Sequence, residues 1–593
     1  MIRIFRYMRK REAVFVVIGL IFIITQVYLD LKLPDYMTTI TTLVQTEGSA
    51  MNSVLSAGGM MLLCAFGSLV SSIIVGFLVA KVAAGLAMHI REAVYDKVMG
   101  FSMEEIGRFS TASLITRSTN DITQITMVVA VGLQAMVKAP IMAVWAIVKI
   151  AGKSWQWTTV TVIAVVLIMI MLLFIFALVT PRFRKIQTLT DNLNRITREN
   201  ISGIRVVHAY NAEGYQEEKF DKANDDLTKN NLFAQRAMAL MQPGMTFVMS
   251  VLTLAIYWVG VYMIDAAAVS ERLSIFSEMV VFSSYALQVI LAFLMMSVTL
   301  LILPRAAVSA KRIMEVLDTI PSMQDGSIED ADQELKGRVE FKNVSFRYPE
   351  AEGDILHDIT FEANAGETVA IIGTTGSGKS TLVNLIPRFY DVSAGEVLVD
   401  GVNVKEYRQQ ALRKKIGYVS QRATLFSGTV RSNVSLGLDE RKDDDSLMSA
   451  LAVAKADEFV SRMEGTVDAS IAQNGTNVSG GQRQRLSIAR AVYKKPEIYV
   501  FDDSFSALDY KTDRALRQAL KEQTKGATIL IVAQRIGTIM DADRIIVLDE
   551  GRIAGIGKHK ELLSSCSVYR EIAESQLSGD ELYGSDRSGK EGA

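Results

Sequence analysis

A glycine-rich stretch at residues 373–380 has the residue types and spacing of a phosphate-binding loop. It reads Gly-Thr-Thr-Gly-Ser-Gly-Lys-Ser and matches the pattern G-x-x-x-x-G-K-[ST]. A strand-like apolar run precedes it and a helix-like run follows it. Glycines let the backbone approach a ligand, so that bare N–H groups point at phosphate oxygens. The stretch therefore predicts that a nucleoside triphosphate is bound by Gly373, Thr374, Thr375, Gly376, Ser377, Gly378, Lys379, Ser380 and Thr381.

Five side chains are expected to complete the nucleotide site. Lys379 is expected to reach the β- and γ-phosphates, and the Ser380 hydroxyl to hold Mg²⁺. Asp502 ends an apolar strand-like run, where an acid can hold the same Mg²⁺. Gln421 ends another such run and is expected to touch Mg²⁺ and the attacking water. Tyr348 offers an aromatic face for adenine, or is a strand-edge tyrosine with no ligand.

A second glycine turn forms a further candidate anion site. It comprises Val478, Ser479, Gly480, Gly481 and Gln482, and a helix-like run follows it. Bare N–H groups at a helix start favour an anion. Because one nucleotide does not need two phosphate cradles in one chain, we expect this turn to meet the γ-phosphate bound to another subunit.

The elements that must position these residues belong to two unlike halves of a 593-residue chain, of which half the residues are hydrophobic. Up to about residue 303 the chain carries long apolar runs, and beyond it the texture is that of a soluble α/β domain. A bilayer takes about 20 apolar residues per helix. Six runs qualify, at residues 13–33, 55–79, 127–150, 158–180, 245–264 and 278–303.

The distribution of positive charge predicts the orientation in a cell membrane. Five basic residues precede the first run, none lies at 35–54, and 181–242 is strongly basic. Both termini are therefore expected in the cytoplasm. A net charge of −1 gives no indication of nucleic-acid binding, and two cysteines cannot form a disulfide framework.

Two connections at 81–125 and 181–242 are too long for simple loops and are expected to be helical extensions into the cytoplasm. Each contains a polar piece, at 107–117 and 211–219, that is either the cap of a helical hairpin or a surface turn. Lys138 lies inside the third apolar run, and we expect it to extend toward the membrane interface rather than to bind substrate.

Together these motifs resemble an ABC transporter nucleotide-binding domain, and the six spans ahead of them resemble an ABC exporter half-transporter of the multidrug type. The resemblance covers nearly the whole chain. It rests on the phosphate loop, the Val478–Gln482 signature, Gln421, Asp502 and a D-loop of Ser506, Ala507, Leu508 and Asp509. It implies a dimer with two ATP sites at its interface, alternating access, coupling helices at 107–117 and 211–219, and Tyr348 against adenine.

The resemblance also implies domain boundaries. A transmembrane domain is expected at 1–320, a linker at 321–337, an α/β P-loop ATPase domain at 338–577 and a disordered tail at 578–593.

Two residues depart from the family pattern. Asp503 stands where the family usually has a glutamate, and Gln534 stands where it has a switch-loop histidine. Aspartate is one methylene shorter, and glutamine cannot carry positive charge. A well-placed general base is typically worth about 10²–10⁴ in rate, so these changes predict a site that binds ATP but hydrolyses it slowly.

An asymmetric heterodimer accommodates these departures better than a homodimer, which would have two weakened sites. The partner is expected to be a second half-transporter with intact Glu and His, whose ATP meets this chain's signature. The expected activity is ATP-driven export of amphipathic or hydrophobic, drug-like compounds from the cytoplasm or inner leaflet, in contact with membrane lipid. A lipid or peptide exporter and an ATP-gated regulator or channel are the alternatives, and substrate-contacting residues are unknown.

Overall fold

The computed structural model describes residues 2–46, 49–151, 154–269, 271–330, 335–349, 351–438 and 444–577. It divides into two compact units. Unit 1 comprises Met1–Met99 and Thr111–Thr319, and unit 2 comprises Gly100–Ser110 and Ile320–Ala593. The expected tail at 578–593 lies outside the described residues.

Unit 1 consists mainly of long helices. The short helix α3 lies between two of its helices in the sequence but belongs to unit 2. The helices are α1 (Lys10–Gln45), α2 (Met51–Met99), α3 (Met103–Phe109), α4 (Thr111–Ser118), α5 (Asn120–Met127), α6 (Leu133–Ala151), α7 (Trp155–Ser202), α8 (Ile204–Ala209), α9 (Glu213–Ala239), α10 (Met241–Ala266) and α11 (Arg272–Asp318). A π-helical turn, Val128–Gly132, joins α5 to α6.

Six helical segments in the described part of the chain are long and apolar enough to cross a membrane, as the sequence predicts. They are Lys10–Val44, Met51–Met99, Thr111–Ala151, Trp155–Ser202, Glu213–Ala266 and Arg272–Met296. The buried sides of all of them except Met51–Met99 meet in an apolar core around Trp157, whose Nε1 donates to the carbonyl of Ile256 at 3.1 Å. Met51–Met99 packs Val75 and Val79 against Ile23 of the first segment. The Trp157 ring lies 5.4 Å from that of Phe282.

The two long connections are helical, as predicted, and the polar piece in each contains a break between helices. Ser110, at φ +58°, separates α3 from α4. Asn211, at φ +47°, follows α8, and α9 begins two residues later. The long helices α2 and α7, which lead to these short helices, run on well beyond the apolar runs at 55–79 and 158–180.

The structure gives Lys138 a partner that the sequence did not indicate. Its Nζ lies 3.1 Å from the carboxylate of Asp30 on α1, and its side chain is only 12% exposed. A lysine in a membrane span is costly unless it is paired, so the ion pair compensates the charge, and the position of Lys138 near the interface stays a prediction.

Unit 2 contains two larger sheets among its described residues. Its strands are β1 (Val339–Phe346), β2 (Leu356–Ala363), β3 (Thr368–Gly373), β4 (Ala394–Val399), β5 (Val402–Asn403), β6 (Ile416–Val419), β7 (Gly428–Thr429), β8 (Ser470–Ile471), β9 (Ile498–Asp502), β10 (Thr528–Val532), β11 (Arg544–Asp549) and β12 (Arg552–Gly557). One sheet has the order β2-β1-β4-β5 and is antiparallel, and β7 pairs with β8. The other sheet has the order β12-β11-β3-β10-β9-β6.

The second sheet positions the nucleotide site. Its strands from β11 to β6 are parallel, with Val532 of β10 beside Asp502 of β9 and beside Ile371 of β3. All five residues of β9 are buried. Parallel strands are covered on both faces and bring their carboxyl ends to one edge, so the residues that follow β3, β6, β9 and β10 meet there.

Helices cover this sheet and carry several of the motifs. They are α12 (Lys379–Asn384), α13 (Gln409–Lys415), α14 (Val430–Val434), α15 (Asp444–Val453), α16 (Asp457–Ser461), α17 (Gly480–Lys494), α18 (Tyr510–Gln523), α19 (Ile536–Ile539), α20 (His559–Ser565) and α21 (Ser567–Gln576).

Candidate nucleotide site

The phosphate loop joins the central strand β3 to α12, which is the predicted strand–loop–helix arrangement. Gly378 has φ +94°, and a Cβ at this position would lie 2.7 Å from Leu356 Cδ2. Only glycine fits both the left-handed backbone and the limited space. The loop is thereby held as an open turn whose N–H groups suit an anion.

The side chain of Lys379 lies inside this loop and bonds to its backbone. Its Nζ donates to the carbonyls of Gly373 at 2.9 Å and Thr374 at 2.6 Å, and the residue is 9% exposed. Burial lowers the pKa of Lys379, while Asp503 and Asp502 oppose that shift. A buried ammonium held beside the loop is a ready counter-charge for phosphate.

Ser380 and Asp502 meet as predicted for a Mg²⁺ site. The Ser380 hydroxyl donates to Asp502 Oδ1 at 2.8 Å across the gap between α12 and β9. Burial raises the pKa of Asp502, and the bond from Ser380 opposes this. A hydroxyl and a carboxylate are oxygen ligands of the kind that Mg²⁺ binds, so the residues present fit that ion.

Asp503 is held by two glutamine amides. Its Oδ2 accepts from Gln534 Nε2 at 2.8 Å and from Gln421 Nε2 at 3.3 Å. The backbone of Asp503 has φ +46°, a left-handed conformation that aspartate tolerates better than most residues. Burial raises the pKa of Asp503, against the hydrogen bond from Gln421. Asp503, Gln421 and Gln534 therefore lie together, at the ends of β9, β6 and β10.

Tyr348 lies against the phosphate loop. Its hydroxyl is 3.1 Å from the hydroxyl of Thr381, and its ring packs edge-on against Phe346 and Tyr390, with centroids 4.9 Å and 5.1 Å away. The half-buried ring is thus oriented by two aromatic neighbours.

The signature turn begins α17. Ser479 is the N-cap, its hydroxyl accepts from Gln482 N at 3.3 Å, and the Gln482 side chain accepts from Ser479 N at 2.9 Å. A Cβ on Gly481 would lie 3.2 Å from the carbonyl of Ala507. The signature turn and the D-loop are therefore packed together, while Asp509 caps α18 by accepting from Thr512 N at 2.9 Å.

Two tyrosines of the site were not predicted from the sequence. Tyr418 of β6 donates to Asn384 Oδ1 at 2.8 Å and lies 3.5 Å from Asp502 Oδ2, and burial raises its pKa. Tyr390 orients Tyr348. Tyr418 could have been predicted from the sequence, because it lies three residues before Gln421 on a strand next to that of Asp502. Tyr390 could not, because its contact with Tyr348 joins segments that are distant in the sequence.

The fold and this site define an ATPase of the P-loop class joined to a membrane domain. The family of ABC transporter transmembrane regions matches residues 14–293, and the ABC transporter family matches residues 356–506. The chain is 39% identical over 554 residues to an uncharacterised ABC transporter ATP-binding protein of Mycobacterium tuberculosis, covering 91% of this chain and 93% of that protein.

It is also 31% identical over 500 residues to an ATP-dependent lipid A-core flippase of Pseudomonas aeruginosa, covering 84% of this chain and 81% of the flippase. A bacterial Atm1-family ABC exporter with ATP bound has the same fold, with a TM-score of 0.80, 23% identity, and coverage of 96% of this chain and 99% of that one. The chain therefore belongs to the ABC transporters: it is a multi-pass membrane protein and an ATP-driven exporter with fused membrane and ATPase domains, of the kind that dimerises.

Proposed function

We propose that this chain is the slow-site subunit of a heterodimeric exporter. Its own phosphate loop binds ATP that turns over slowly, and its signature turn completes the faster site on a partner half-transporter with Glu and His at the two departed positions. The observation that carries this proposal is the double amide contact on Asp503.

A general base must present a free oxygen to the water that it activates. Oδ2 of Asp503 already accepts from Gln534 at 2.8 Å and from Gln421 at 3.3 Å. The short side chain is drawn toward the two amides, and neither amide brings the positive charge that a protonated histidine offers to developing phosphate charge. We infer that this carboxylate, one methylene shorter than glutamate and held at Oδ2 by the two amides, is poorly placed to activate water.

The binding half of the site is intact. Residues 373–381 would hold the phosphates through backbone N–H groups, with Lys379 as counter-charge and Tyr348 beside the adenine. Ser380, Asp502 and the amide oxygen of Gln421 would hold Mg²⁺, which neutralises charge on the phosphate oxygens when it is bound. A site with these groups and a weak base would bind ATP without hydrolysing it rapidly, and the bound ATP would hold the two subunits together.

The signature turn supports the second role. The anion cradle of the signature is complete, with Ser479, Gly480, Gly481 and Gln482. The capping bonds between Ser479 and Gln482 fix the conformation of the start of α17. The D-loop packs behind Gly481. A partner's γ-phosphate would meet this surface.

Two substitutions test the asymmetry in the purified pair. Gly481→Asp, which puts a carboxylate in the signature cradle, should nearly abolish ATP hydrolysis, and Asp503→Asn should reduce it only modestly. Gly353→Asp, outside the signature turn, serves as the matched folding control, because a Cβ there meets nothing within 4 Å. The opposite ranking contradicts the proposal. Brisk, vanadate-sensitive hydrolysis by this chain alone would favour a homodimer.

The substrate class that we propose is amphipathic or hydrophobic, drug-like compounds, moved out of the cytoplasm or inner leaflet with both termini cytoplasmic. A lipid substrate is the second candidate, favoured by the similarity to proteins named lipid A-core flippases. Stimulation of ATP hydrolysis by drug-like amphiphiles but not by lipid A would distinguish the two. We also propose the boundaries 1–320, 321–337, 338–577 and 578–593 for the domains, linker and tail.

A further inference from the structure

Four membrane helices each contribute a polar residue to one cluster in unit 1. Asp30 of α1 pairs with Lys138 of α6, with 3.1 Å between Nζ and Oδ2. Ser68 of α2 donates to Asp30 Oδ1. Gln288 of α11 donates through Nε2 to the backbone carbonyl of Asp30 at 3.4 Å. Ionisable groups inside membrane spans are costly and usually mark a functional pathway.

Two buried amide oxygens beside this ion pair lack a donor among the described residues. Within the part of the chain that the structure describes, the buried Oε1 atoms of Gln26 and Gln288 accept no hydrogen bond. Gln26 is 5% exposed and lies one helical turn before Asp30, hence on the same face of α1. The bond from Gln288 Nε2 to a carbonyl determines which end of that amide is the acceptor. A buried acceptor without a partner costs free energy, so the cluster favours a ligand that donates hydrogen bonds.

A second ion pair on the same helices provides a contrast. Asp35 Oδ2 accepts from Lys149 at 2.8 Å, and Asp35 Oδ1 accepts from Tyr285 at 2.5 Å. Lys32 lies 3.9 Å from Asp35 as well. Both oxygens of Asp35 thus have donors, and two cations neutralise one acid. Asp30 also has a donor on each oxygen, but among the described residues it pairs with one cation, Lys138, and the buried Oε1 atoms of Gln26 and Gln288 beside it accept no hydrogen bond. Asp35 thus has the features of a structural pair, and Asp30 has those of a site with room for a further donor.

We propose that Gln26, Asp30 and Gln288 form a subsite for the ammonium group of a cationic amphiphile, with Lys138 as the resident counter-ion that the ligand displaces. The Asp30 side chain is 24% exposed, so the carboxylate can be reached. The apolar body of the ligand would lie along the surrounding helices. This proposal rests on the proposed export of amphipathic compounds and adds that the exporter prefers compounds with a positive charge.

The test is equilibrium binding without nucleotide, so that it is independent of the ATP sites. Full-length protein in nanodiscs of zwitterionic lipid is titrated with daunorubicin, a fluorescent amine, and with its N-acetyl derivative, which lacks the charge. Empty nanodiscs correct for partitioning into lipid. Hydrogen bonds to charged groups predict that the amine binds about tenfold more tightly than the acetylated form.

Three variants separate recognition from structure. Asp30→Asn should remove the preference for the amine and leave binding of the acetylated form unchanged. Lys138→Met should tighten amine binding, because the resident cation is gone. Gln26→Met should weaken amine binding without changing any charge, and it serves if Asp30→Asn fails to fold. Asp35→Asn is the matched control and should retain the preference.

Equal binding of both compounds to the wild-type protein would overturn the subsite while leaving export of amphiphiles in place. Binding of neither compound would contradict the substrate class itself. Equal weakening of both compounds by Asp30→Asn would make the Lys138 pair merely structural, and so would loss of the preference in Asp35→Asn.

Discussion

Gln534 donates from Nε2 to Asp503 Oδ2 over 2.8 Å, joining the two positions at which this chain departs from its family. The residues are 31 apart in the chain and follow the adjacent parallel strands β10 and β9. The two departures are thus one structural feature, since each side chain determines where the other points. Substitutions here should be made and interpreted as a pair.

Restoring a longer carboxylate and an imidazole together should raise turnover at this site. In an exporter whose partner's own catalytic carboxylate has been changed to its amide, Asp503→Glu with Gln534→His should increase hydrolysis by about 10²-fold, the lower end of the usual general-base contribution. Phosphate release measures it. Gln534→His alone is the control and should raise the rate of ATP hydrolysis only slightly, because the short carboxylate of Asp503 remains. No increase in the double variant would contradict the slow-site interpretation.

Asp503→Asn should stabilise the protein at neutral pH. Burial raises the folded pKa of Asp503 above its ordinary value of about 3.9, so the ionised form destabilises the fold above that raised pKa. The stabilisation by Asn should shrink as the pH falls through the raised folded pKa and should disappear below about 3.9, where Asp503 becomes protonated in both the folded and the unfolded state. Scanning calorimetry of the full-length protein with and without the substitution measures the difference. A stabilisation by Asp503→Asn that increases as the pH falls would contradict the raised pKa of Asp503.

Glu105 of α3 should show the opposite pH dependence. Although burial opposes it, hydrogen bonds from Ser102 and Ser322 hold the pKa of Glu105 below its ordinary value. Its stabilising contribution is present above about pH 4.3 and is lost as the pH falls through the lowered folded pKa. Glu105→Gln should therefore lower the unfolding midpoint of unit 2 at neutral pH by an amount that disappears in acid. The exposed neighbour Glu104 supplies the control substitution, Glu104→Gln.

Tyr285→Phe should destabilise unit 1. The Tyr285 hydroxyl is fully buried and donates to Asp35 Oδ1 at 2.5 Å, and its oxygen lies 3.1 Å from the Leu31 carbonyl. A hydrogen bond to a charged group is worth about 1.5–3 kcal/mol, and the lower end applies because the Asp35 side chain is 29% exposed. Tryptophan fluorescence can follow unfolding, since Trp157 and the other three tryptophans lie in unit 1. Tyr257→Phe, at a 39% exposed ring, is the control and should change little.

Local sequence was sufficient to predict the elements of both units. The six apolar runs predicted six spanning helices because helix length in a membrane follows from hydrophobic length. The phosphate loop and Asp502 were found because each lies at the end of its own strand, and residues at such ends meet in a parallel sheet. Ser380 and Asp502 accordingly lie in contact where the motif spacing predicted.

Contacts between distant segments could not be predicted in the same way. Lys138 had been expected to extend toward the interface because its run shows only a lysine near the middle of apolar residues and nothing of what faces it. Asp30, 108 positions earlier, came to face it through the packing of α1 on α6. Tyr390 against Tyr348 is a contact of the same kind.

The chain's composition and motif spacing are enough to indicate a membrane protein that binds a nucleoside triphosphate, since hydrophobic length and glycine placement act within a few residues of one another; export followed from the resemblance to the ABC exporters. The pairing of Asp503 with Gln534 and Gln421, and of Asp30 with Lys138, depends on which helices and strands become neighbours. That choice is made by packing across the whole unit, because the free energy of a buried ion pair or hydrogen bond depends on every group that excludes water around it.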